Sequence, residues 1–355
     1  MNNSLKYILL SVLLMIVIIG RSQDASNDTI NNNEAVSFDH DTIYIKSYRD
    51  VFTFRLLTTN KKSEFDITHE TNGNSIEYEP NSSLNLGFGF TYKWFGLNLA
   101  FNFPFINNDD EIYGKTQRLD LQSSIFSRKF AVDLFLQFYK GYYVANPTIL
   151  NPGWLPGDPY PIRGDIRSFS LGGTYNYIFN HDKFSYRAAF NFNERQKKSA
   201  GSFLVGGGVL LYNLLSDSGL IPNQLFPDSV EVINIDGVKI NSIYALGGYA
   251  HTFVIRNWYF TLGLGLGPGL SSTKTKLTND EFKKVRSRFS VITEFRGSVG
   301  YNSDVFYAGL SWYTGAFAID SSNDILITYS LSKINFYVGY RFYKLFNKTV
   351  QKNIY

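Results

Sequence analysis

The amino-acid sequence predicts an all-β fold, a transmembrane antiparallel up-and-down β-barrel of about 12 strands, with roughly 10–14 possible. Three observations lead to this prediction. Apolar residues alternate with small or polar ones over long segments, the polar positions carry few charges, and short connections are interspersed with long ones. Successive side chains of a strand point to opposite faces, so each segment has one apolar and one polar face.

The alternation is clearest in the segment 85–105, NLGFGFTYKWFGLNLAFNFPF. Two strands are predicted there, one on each side of Lys93-Trp94. The alternative is a soluble sandwich or lipocalin-like barrel, whose polar face meets water and is usually rich in Lys and Glu. Here that face carries Gly, Ser, Thr and Asn, which suit a confined lumen, so the apolar face is predicted to meet lipid.

The same alternation predicts strands in most of the chain. They include FAVDLFLQFYKGYY from Phe130, SFSLGGTYNYIF from Ser168, FSYRAAFNFN from Phe184, WYFTLGLGLG from Trp258, FSVITEFRGSVGY from Phe289 and KINFYVGYRF from Lys333. The first clear strands begin near Ser75, where 75–92 is predicted as one strand interrupted at Pro80, while 51–58 and 64–70 are weaker candidates. Aromatic residues near strand ends, among them Tyr142, Tyr143, Trp258 and Tyr259, predict interfacial girdles.

Four regions are predicted along the chain. Residues 1–22 have a short positive start, an apolar run and small residues at Gly20 and Ser22, as in a cleavable signal peptide; an uncleaved anchor helix is the alternative. Residues 23–42 are predicted as a flexible polar N-terminus, 43–342 as the barrel, and 343–355 as a short periplasmic tail. The expected location is the outer membrane of a Gram-negative cell envelope.

Composition limits the partners. The chain has 355 residues, a net charge of +4 and no cysteine, which excludes disulfides and thiolate metal sites. Without a basic stripe or recognition motif, no nucleic-acid partner is expected, and no cofactor is expected either. The expected partners are membrane lipid and, during biogenesis, the barrel-assembly machinery, because Tyr340 and Phe342 resemble a terminal aromatic signal.

Charged residues at polar positions of the predicted strands are candidates for the lumen. They are Asp133, Arg187, Glu194, Glu294 and Arg296. Charge on the lipid face would cost about 2–4 kcal/mol for Arg or Lys at midplane, so these side chains are expected to face inward. Two interpretations remain open: an ion network that fills the barrel, or a charged constriction that selects solutes.

The stretch ERQKKSAGS breaks the alternation after Asn193. A basic run followed by small residues is a possible anion-binding motif, formed by Gln196, Lys197, Lys198, Ser199, Gly201 and Ser202; a solvated hairpin loop is the alternative. The topology between residues 184 and 242 stays open, because strand directions counted from the two chain ends disagree there. Asp236-Gly237 is a hairpin signal inside that region.

Two stretches carry a resemblance to a known family. NHDKFSYRAAFNFNERQKKSAGSFL (180–204) and YEPNSSLNLGFGFTYKW (78–94) resemble a Bacteroidetes-type outer-membrane β-barrel family, domain of unknown function 4421. The resemblance implies an exported envelope barrel and implies no catalytic residues.

Three functional hypotheses follow. The favoured one is a structural or interaction component of the envelope with a lumen mostly filled by side chains; the others are a narrow pore for small solutes and a barrel hydrolase acting on lipid. No enzyme activity is expected, since none of the four histidines, His40, His69, His181 and His251, lies in a recognisable catalytic or metal-binding motif. Substrate, partner proteins and oligomeric state are not specified by the sequence.

Overall fold

The fold is that of a computed structural model, which describes residues 39–343 apart from 71, 94, 104, 222–234, 278–281 and 321–324. The predicted signal peptide, most of the predicted polar N-terminus and nearly all of the predicted tail lie outside the described residues. The strands are β1 (Ile45–Ser47), β2 (Phe52–His69), β3 (Ser75–Glu79), β4 (Asn85–Tyr92), β5 (Phe95–Asn102), β6 (Gln117–Phe126), β7 (Phe130–Val144), β8 (Ile162–Ile178), β9 (Glu194–Gln196), β10 (Ala200–Leu215), β11 (Ile235–Ile255), β12 (Trp258–Leu277), β13 (Lys283–Asn302), β14 (Phe306–Asp320) and β15 (Ile325–Phe342). Short helical turns are α1 (Asp110–Tyr113), a 3-10 helix (Pro147–Ile149) and a π-helix (Arg187–Asn191).

Ten antiparallel strands close into a hydrogen-bonded ring, in the order β2, β15, β14, β13, β12, β11, β10, β8, β7, β3 and back to β2. Strands β4, β5 and β6 lie outside this ring: β4 pairs with β2, β5 with β4, and β6 with β7. The prediction of a closed antiparallel β-barrel is confirmed. The ring has ten strands, and the predicted count of about twelve is not reproduced by it.

Strand β2 organises the start of the barrel. The two weak candidates at 51–58 and 64–70 are one strand of 18 residues, so the barrel begins well before Ser75. The predicted interruption at Pro80 is present: β3 pairs with Phe65–Thr68 of β2 and β4 pairs with Thr53–Thr59. Proline has no amide N–H, so it breaks the hydrogen-bond ladder at that point.

The outer face of the barrel is apolar over most of its height. On β12 the outward side chains Trp258, Phe260, Leu264 and Leu270 are exposed, while inward neighbours such as Thr261 are buried. The barrel-crossing strands β7, β8 and β10–β15 have 15–21 residues, more than the 9–11 or so that cross a bilayer. The predicted assignment of apolar side chains to the outside therefore holds along these strands.

The aromatic girdle prediction is right for some residues and wrong for others. Trp258 lies on the outer surface, whereas Tyr142 and Tyr259 are buried and point inward. Tyr143 is covered by the rings of Tyr113 and Tyr160, and its hydroxyl donates to Glu79 at 2.9 Å. The inward tyrosines have hydroxyl partners in the lumen: the Tyr142 and Ser168 hydroxyls lie 2.6 Å apart. A filled barrel needs bulky side chains on its inner face. An aromatic residue at a strand end can therefore lie on either the inner or the outer face.

The segment 184–193, predicted as a membrane-crossing strand, folds instead into the lumen. It contains the π-helix, and the following β9 pairs with β1 in a separate two-stranded sheet. We call Phe184–Gln196 together with β1 the plug. The chain leaves β8 and re-enters the wall as β10 at the same end of the barrel, which removes the conflict in strand direction. Asp236-Gly237 is not a hairpin; it lies in β11 beside a register shift.

The two ends of the barrel differ. The turns at Ser127–Lys129, Arg256–Asn257 and Ser303–Val305 are short and lie at the end that also holds the plug, which we call the turn end. The connections 103–116 and 145–161 are longer and lie at the opposite end, which we call the loop end. The chain enters the barrel at the turn end through β2 and leaves it there through β15.

Candidate functional site

A charged cluster lies at mid-height in the lumen. We call Asp133, Glu294, Arg296 and Lys333 the ionic centre. Arg296 Nη2 donates to Asp133 Oδ2 at 2.5 Å and also bonds Glu294 Oε1. Asp133 accepts a further bond from the Ser124 hydroxyl at 2.5 Å, which in turn accepts from Lys333 Nζ at 3.3 Å. Two cations thus face two carboxylates, so the charges balance.

Aromatic rings surround the Arg296 guanidinium. Its central carbon lies 4.7 Å from the Tyr313 ring centroid and between 5.4 and 5.9 Å from those of Tyr186, Phe126 and Phe190. Tyr186 and Phe190 come from the plug, whereas Phe126 and Tyr313 come from the wall. Such contacts stabilise a desolvated cation by about 2 kcal/mol or more. The guanidinium therefore joins the wall to the plug across the middle of the barrel.

Little free space remains around this cluster. A cavity lined by Asn176, Tyr186, Glu294 and Arg296 has a volume of about 10 Å³, which is about the room that one water molecule needs. A second cavity, nearer the turn end and lined by residues that include Ala188, has no room for a water molecule. The lumen is therefore packed at this level.

Glu194 forms a second charged cluster, within the plug. Its carboxylate accepts bonds from Arg128 and Ser185, and Arg187 Nη1 lies 3.3 Å from Oε1. Arg128 belongs to the turn between β6 and β7, and its Nε lies 3.8 Å from Asp39 Oδ2. Glu194 is nearly fully buried, so the two arginines offset the cost of removing its charge from water.

The pKa of Asp39, near the turn end, is lowered by its neighbours His40 and Arg128. A hydrogen bond from His40, at 2.7 Å, lowers the pKa of Asp39 to about 2; partial burial opposes this effect and Arg128 adds to it.

Side chains of the wall cap the backbone of the plug. The Ala189 carbonyl accepts a bond from Ser298 at 2.8 Å, and the Asn191 carbonyl accepts one from Arg55 at 3.0 Å. Arg341, which is almost wholly buried, donates to the Phe192 carbonyl and to Asn302. Because irregular backbone inside a barrel has no ladder partners, these side chains satisfy groups that would otherwise be costly to bury.

Phe192 ends the π-helix in a left-handed conformation, with φ of 60°. This conformation is unfavourable for a residue with a bulky side chain. Its ring stacks on Tyr307 with centroids 4.5 Å apart and meets Tyr337 edge-on. The packing of the plug against β14 and β15 therefore holds the backbone in this shape.

Asp304, in the turn before β14, ties the plug to the turn end. Its carboxylate accepts a bond from the Tyr48 hydroxyl at 2.6 Å and lies 3.1 Å from both Lys46 Nζ and Arg195 Nη1. Burial raises the pKa of Asp304, but the Tyr48 hydrogen bond and the Lys46 and Arg195 charges outweigh it, so the pKa is lowered. The carboxylate is therefore ionised in the folded protein at neutral pH.

Between the ionic centre and the loop end the lumen is filled by aromatic rings and hydrogen-bonded hydroxyls. The Tyr329 hydroxyl lies 2.7 Å from Gln137 Oε1 and 2.9 Å from the Ser170 hydroxyl, and Tyr139 donates to Asp120 at 2.5 Å. Tyr139 and Tyr329 belong to a buried cluster that extends to Ile76 and Tyr78 of β3. Buried side chains therefore occupy the described lumen between the ionic centre and β3.

The structure divides the predicted lumen charges into two groups. Asp133, Glu294 and Arg296 meet in the ionic centre, and the contact between Glu294 and Arg296 joins residues two apart on one strand. Arg187 and Glu194 belong to the plug, which corrects their placement on membrane-crossing strands. Lys333, Arg341, Arg55 and Asp304 were not predicted; for the first three, their inward positions on β15 and β2 were the available signal.

The predicted anion motif is dispersed. Gln196 lies in β9, and its side-chain amide donates to the Lys183 and Lys198 carbonyls. Lys197 Nζ donates to the Thr42 carbonyl at 2.9 Å, and Lys198 lies over the Tyr44 ring. Ser199 accepts the Val254 amide. Gly201 and Ser202 belong to β10, so they do not form a loop with the lysines.

Two of the described histidines contact side chains close to them in the sequence. His251 is on the outward side of β11 with Nδ1 3.1 Å from the Tyr249 hydroxyl, and His181 pairs with Asp182. In the described part of the chain, no group of three or more potential ligands is placed to hold a metal ion. Over the same residues, no helix is long and apolar enough to cross a membrane.

Comparisons with known proteins identify a family. The model of a family described as "Domain of unknown function (DUF4421)" matches residues 39–342. No curated protein shows significant similarity to the chain.

Solved structures with a similar arrangement include the outer membrane protease OmpT from Escherichia coli, at 7% identity and a TM-score of 0.38 with 84% of this chain and 98% of that chain covered. The translocator domain of the autotransporter NalP from Neisseria meningitidis is 10% identical, with a TM-score of 0.31 and with 94% of this chain and 98% of that chain covered. A Pseudomonas aeruginosa FadL homologue is 9% identical, with a TM-score of 0.25 and with 82% of this chain and 90% of that chain covered. Scores this low carry no argument about function.

Proposed function

The chain belongs to the DUF4421 family, and we propose that it is an outer-membrane β-barrel with a filled lumen that acts as a structural or interaction component of the envelope. The proposal assigns it no catalytic residue and no cofactor. It follows from the barrel's surface, its interior and its loop end.

The outer surface supports a location in a membrane. Exposed apolar residues such as Phe203, Ile243, Leu264 and Phe289 surround the barrel, on strands long enough to cross a bilayer. Closed barrels satisfy every backbone group without water, which is why they can cross lipid. The expected signal peptide supports export to the Gram-negative outer membrane, with the turn end facing the periplasm.

The contacts of Arg296 carry the proposal of a filled lumen. Its guanidinium is bonded to β7 through Asp133, bonded to Glu294 on its own strand, and enclosed by rings from β6, β14 and the plug. A solute would have to displace this charged and aromatic packing and the plug below it. The packing favours a closed barrel over the alternative of a narrow pore.

The loop end supports an interaction role. Tyr113 of α1 and Tyr160 of the connection 145–161 stack with centroids 5.0 Å apart, and Trp154 packs on Tyr160 at 5.0 Å. The Tyr160 amide donates to the Ile112 carbonyl at 3.1 Å. The two connections thus pack into one ordered surface, which is available to another envelope molecule.

The remaining partner in the proposal is the barrel-assembly machinery. Tyr340 and Phe342 lie two apart on the outward side of the last strand, next to β2, and their rings are 4.8 Å apart. A terminal strand that ends in outward aromatics offers this machinery an apolar edge during closure.

Planar-bilayer recording tests the closed lumen. Insertion of the wild-type protein is verified by counting single fluorescently labelled molecules in the same bilayer. We expect no stable ohmic steps at a density at which many labelled molecules are present. Stable steps from the wild-type protein that change in Arg296→Ala would instead establish the pore.

A further inference from the structure

Strands β5 and β6 follow one another along the chain, yet no hydrogen-bonded register joins them among the described residues. All of β5 pairs with β4 on one side, and all of β6 pairs with β7 on one side. We call the region between their other edges, neither of which pairs with a described strand, the β5–β6 gap. Unpaired backbone groups inside lipid cost several kcal/mol each, so a gap at membrane depth needs something to fill it.

The polar side of β5 is uncovered at the gap. Its inward positions Gly96, Asn98, Ala100 and Asn102 are exposed, whereas the inward Gly89 and Thr91 of the neighbouring β4 are buried. One contact crosses inward from this strand: Asn98 Oδ1 accepts from Arg55 Nε at 2.8 Å. The gap therefore opens sideways from the barrel surface to polar groups of the wall.

Two cations and one carboxylate line the gap. Lys61, on the inward side of β2, reaches across and donates to the Asp120 carbonyl on β6 at 3.2 Å, and it interacts electrostatically with both Asp120 and Arg118. Arg118 Nη1 and Asp120 Oδ1 are buried without a hydrogen-bond partner. The other carboxylate oxygen, Oδ2, accepts from Gln122, Gln137 and Tyr139. The three charged side chains leave one net positive charge and an unused donor.

Apolar side chains flank the gap on the membrane side. Leu97, Leu99 and Phe101 form an exposed row on β5, and Leu119 and Leu121 form one on β6. Each row is one strand wide, which matches the width of a single acyl chain. A cationic interior beside two apolar outward rows is complementary to a molecule with one acyl chain and one anionic head group.

We propose that the β5–β6 gap binds a single-chain anionic amphiphile of the fatty-acid class. Its chain lies between the outward rows of β5 and β6, and its carboxylate enters the gap to bond Lys61 and Arg118. The planar guanidinium offers two parallel donors to a carboxylate, so Arg118 is suited to this head group. The inference rests on the proposed membrane location, but it is independent of whether the lumen conducts.

Binding is measured with 11-(dansylamino)undecanoic acid on the purified full-length protein in nanodiscs. We expect saturable fluorescence enhancement that oleic acid displaces. Lys61→Met and Arg118→Met should each weaken binding by about 10-fold or more, because each removes a charge-assisted bond. Lys61→Arg should retain binding. Lys274→Met, which removes a cation from β12 on another part of the wall, is the matched control and should leave binding unchanged.

Two results would overturn the proposal. One is equal affinity in the wild-type, Lys61→Met and Arg118→Met proteins, each shown to be a folded barrel by its electrophoretic shift on heating. The other is displacement of the probe by phosphatidylglycerol and not by oleic acid, which would assign the gap to phospholipid. Neither result alters the conductance expected for a closed lumen, so failure of this proposal is distinct from failure of the proposed function.

A disulfide tests the opening itself, and the absence of native cysteine keeps the experiment simple. The pair Leu99→Cys and Leu121→Cys puts one thiol on the outward row of β5 and one on that of β6, while Leu121→Cys and Leu136→Cys are directly opposed on β6 and β7. Because a disulfide needs Cα atoms within about 7 Å, we expect the second pair to oxidise readily. The first pair should either resist oxidation or lose probe binding once oxidised. Full oxidation of the first pair with unchanged binding would refute a site in the gap.

Discussion

Replacement of Arg296 by methionine is the strongest perturbation of the ionic centre. Methionine keeps much of the length of the side chain and removes its charge. Asp133 and Glu294 would then share only Lys333, which reaches Asp133 through Ser124. One buried negative charge would be left without a counter-charge, and the surrounding rings would lose the cation they enclose.

The expected cost is about 3–5 kcal/mol in free energy of unfolding, because breaking a buried ion pair from one side leaves an uncompensated charge. The double variant Arg296→Met, Glu294→Gln removes one charge of each sign and leaves Asp133 with Lys333, which reaches it through Ser124. The remaining charges balance, so this variant should recover more than half of the loss. Non-additivity of this kind is expected for residues in one network.

The assay is reversible urea unfolding in lipid vesicles, followed by tryptophan fluorescence. Lys274→Met, on the outer face near the loop end, controls for the loss of a positive charge from an exposed site and should change stability by less than about 0.5 kcal/mol. Equal stability of Arg296→Met and wild type would refute the reasoning, since it would mean that water reaches the ionic centre. A double variant as unstable as the single one would refute the account based on charge balance.

Two further predictions concern the turn end and the wall. Because the pKa of folded Asp304 is lowered, its contacts stabilise the protein fully at pH values above the ordinary carboxyl pKa of about 3.9. This stabilisation is lost as the pH falls through the lowered pKa. Asp304→Asn should remove this acid dependence from the hydrogen-exchange protection of the plug, and an unchanged pH profile would contradict the assignment. Gly297→Ala should cost about 1–3 kcal/mol and alter Trp312 emission, since the added Cβ would lie 2.2 Å from the indole. Gly247→Ala, where nothing lies within 4 Å, is the control, and equal costs for the two variants would show that the indole does not cover Gly297.

The sequence predicts the faces of the barrel well, because the two-residue period is a local property of each strand. Asp133 and Gln137 point inward and Phe138 points outward, as the alternation of β7 requires. The contact between Glu294 and Arg296 is also local. The contact of Arg296 with Asp133 is not, because it depends on which strands face each other across the lumen, and no pattern within one strand contains that information.

The plug shows where alternation misleads. Phe184, Tyr186, Phe190 and Phe192 keep one parity, as in a strand, yet their rings pack in the lumen rather than against lipid. The pair Ala188-Ala189 was the local sign of a different structure, since small residues occupy both parities there. The disagreement in strand direction was the global sign, and it arose because this segment folds into the lumen and does not form a strand of the barrel wall.

The strand count illustrates a further limit. Strands β4, β5 and β6 have the alternation of barrel strands, so the sequence predicts them as members of the ring. The ring closes instead through β3, the short strand before Pro80, which pairs with both β2 and β7. Alternation shows which face of a strand is apolar, but it does not show which strand pairs with it. The β5–β6 gap could therefore not be predicted from the sequence.

The central claim is that the outward apolar side chains meet hydrocarbon while the inner face is enclosed. Depth-dependent quenching by brominated lipids tests it most directly, in a variant whose four tryptophans are replaced by phenylalanine and that carries one new tryptophan. Leu264→Trp, on the outer face of β12, should be strongly quenched by bromines near the bilayer centre, and Tyr244→Trp, on the inner face of β11, should be nearly unaffected. Weak quenching at Leu264→Trp, or equal quenching at both positions, would contradict the account.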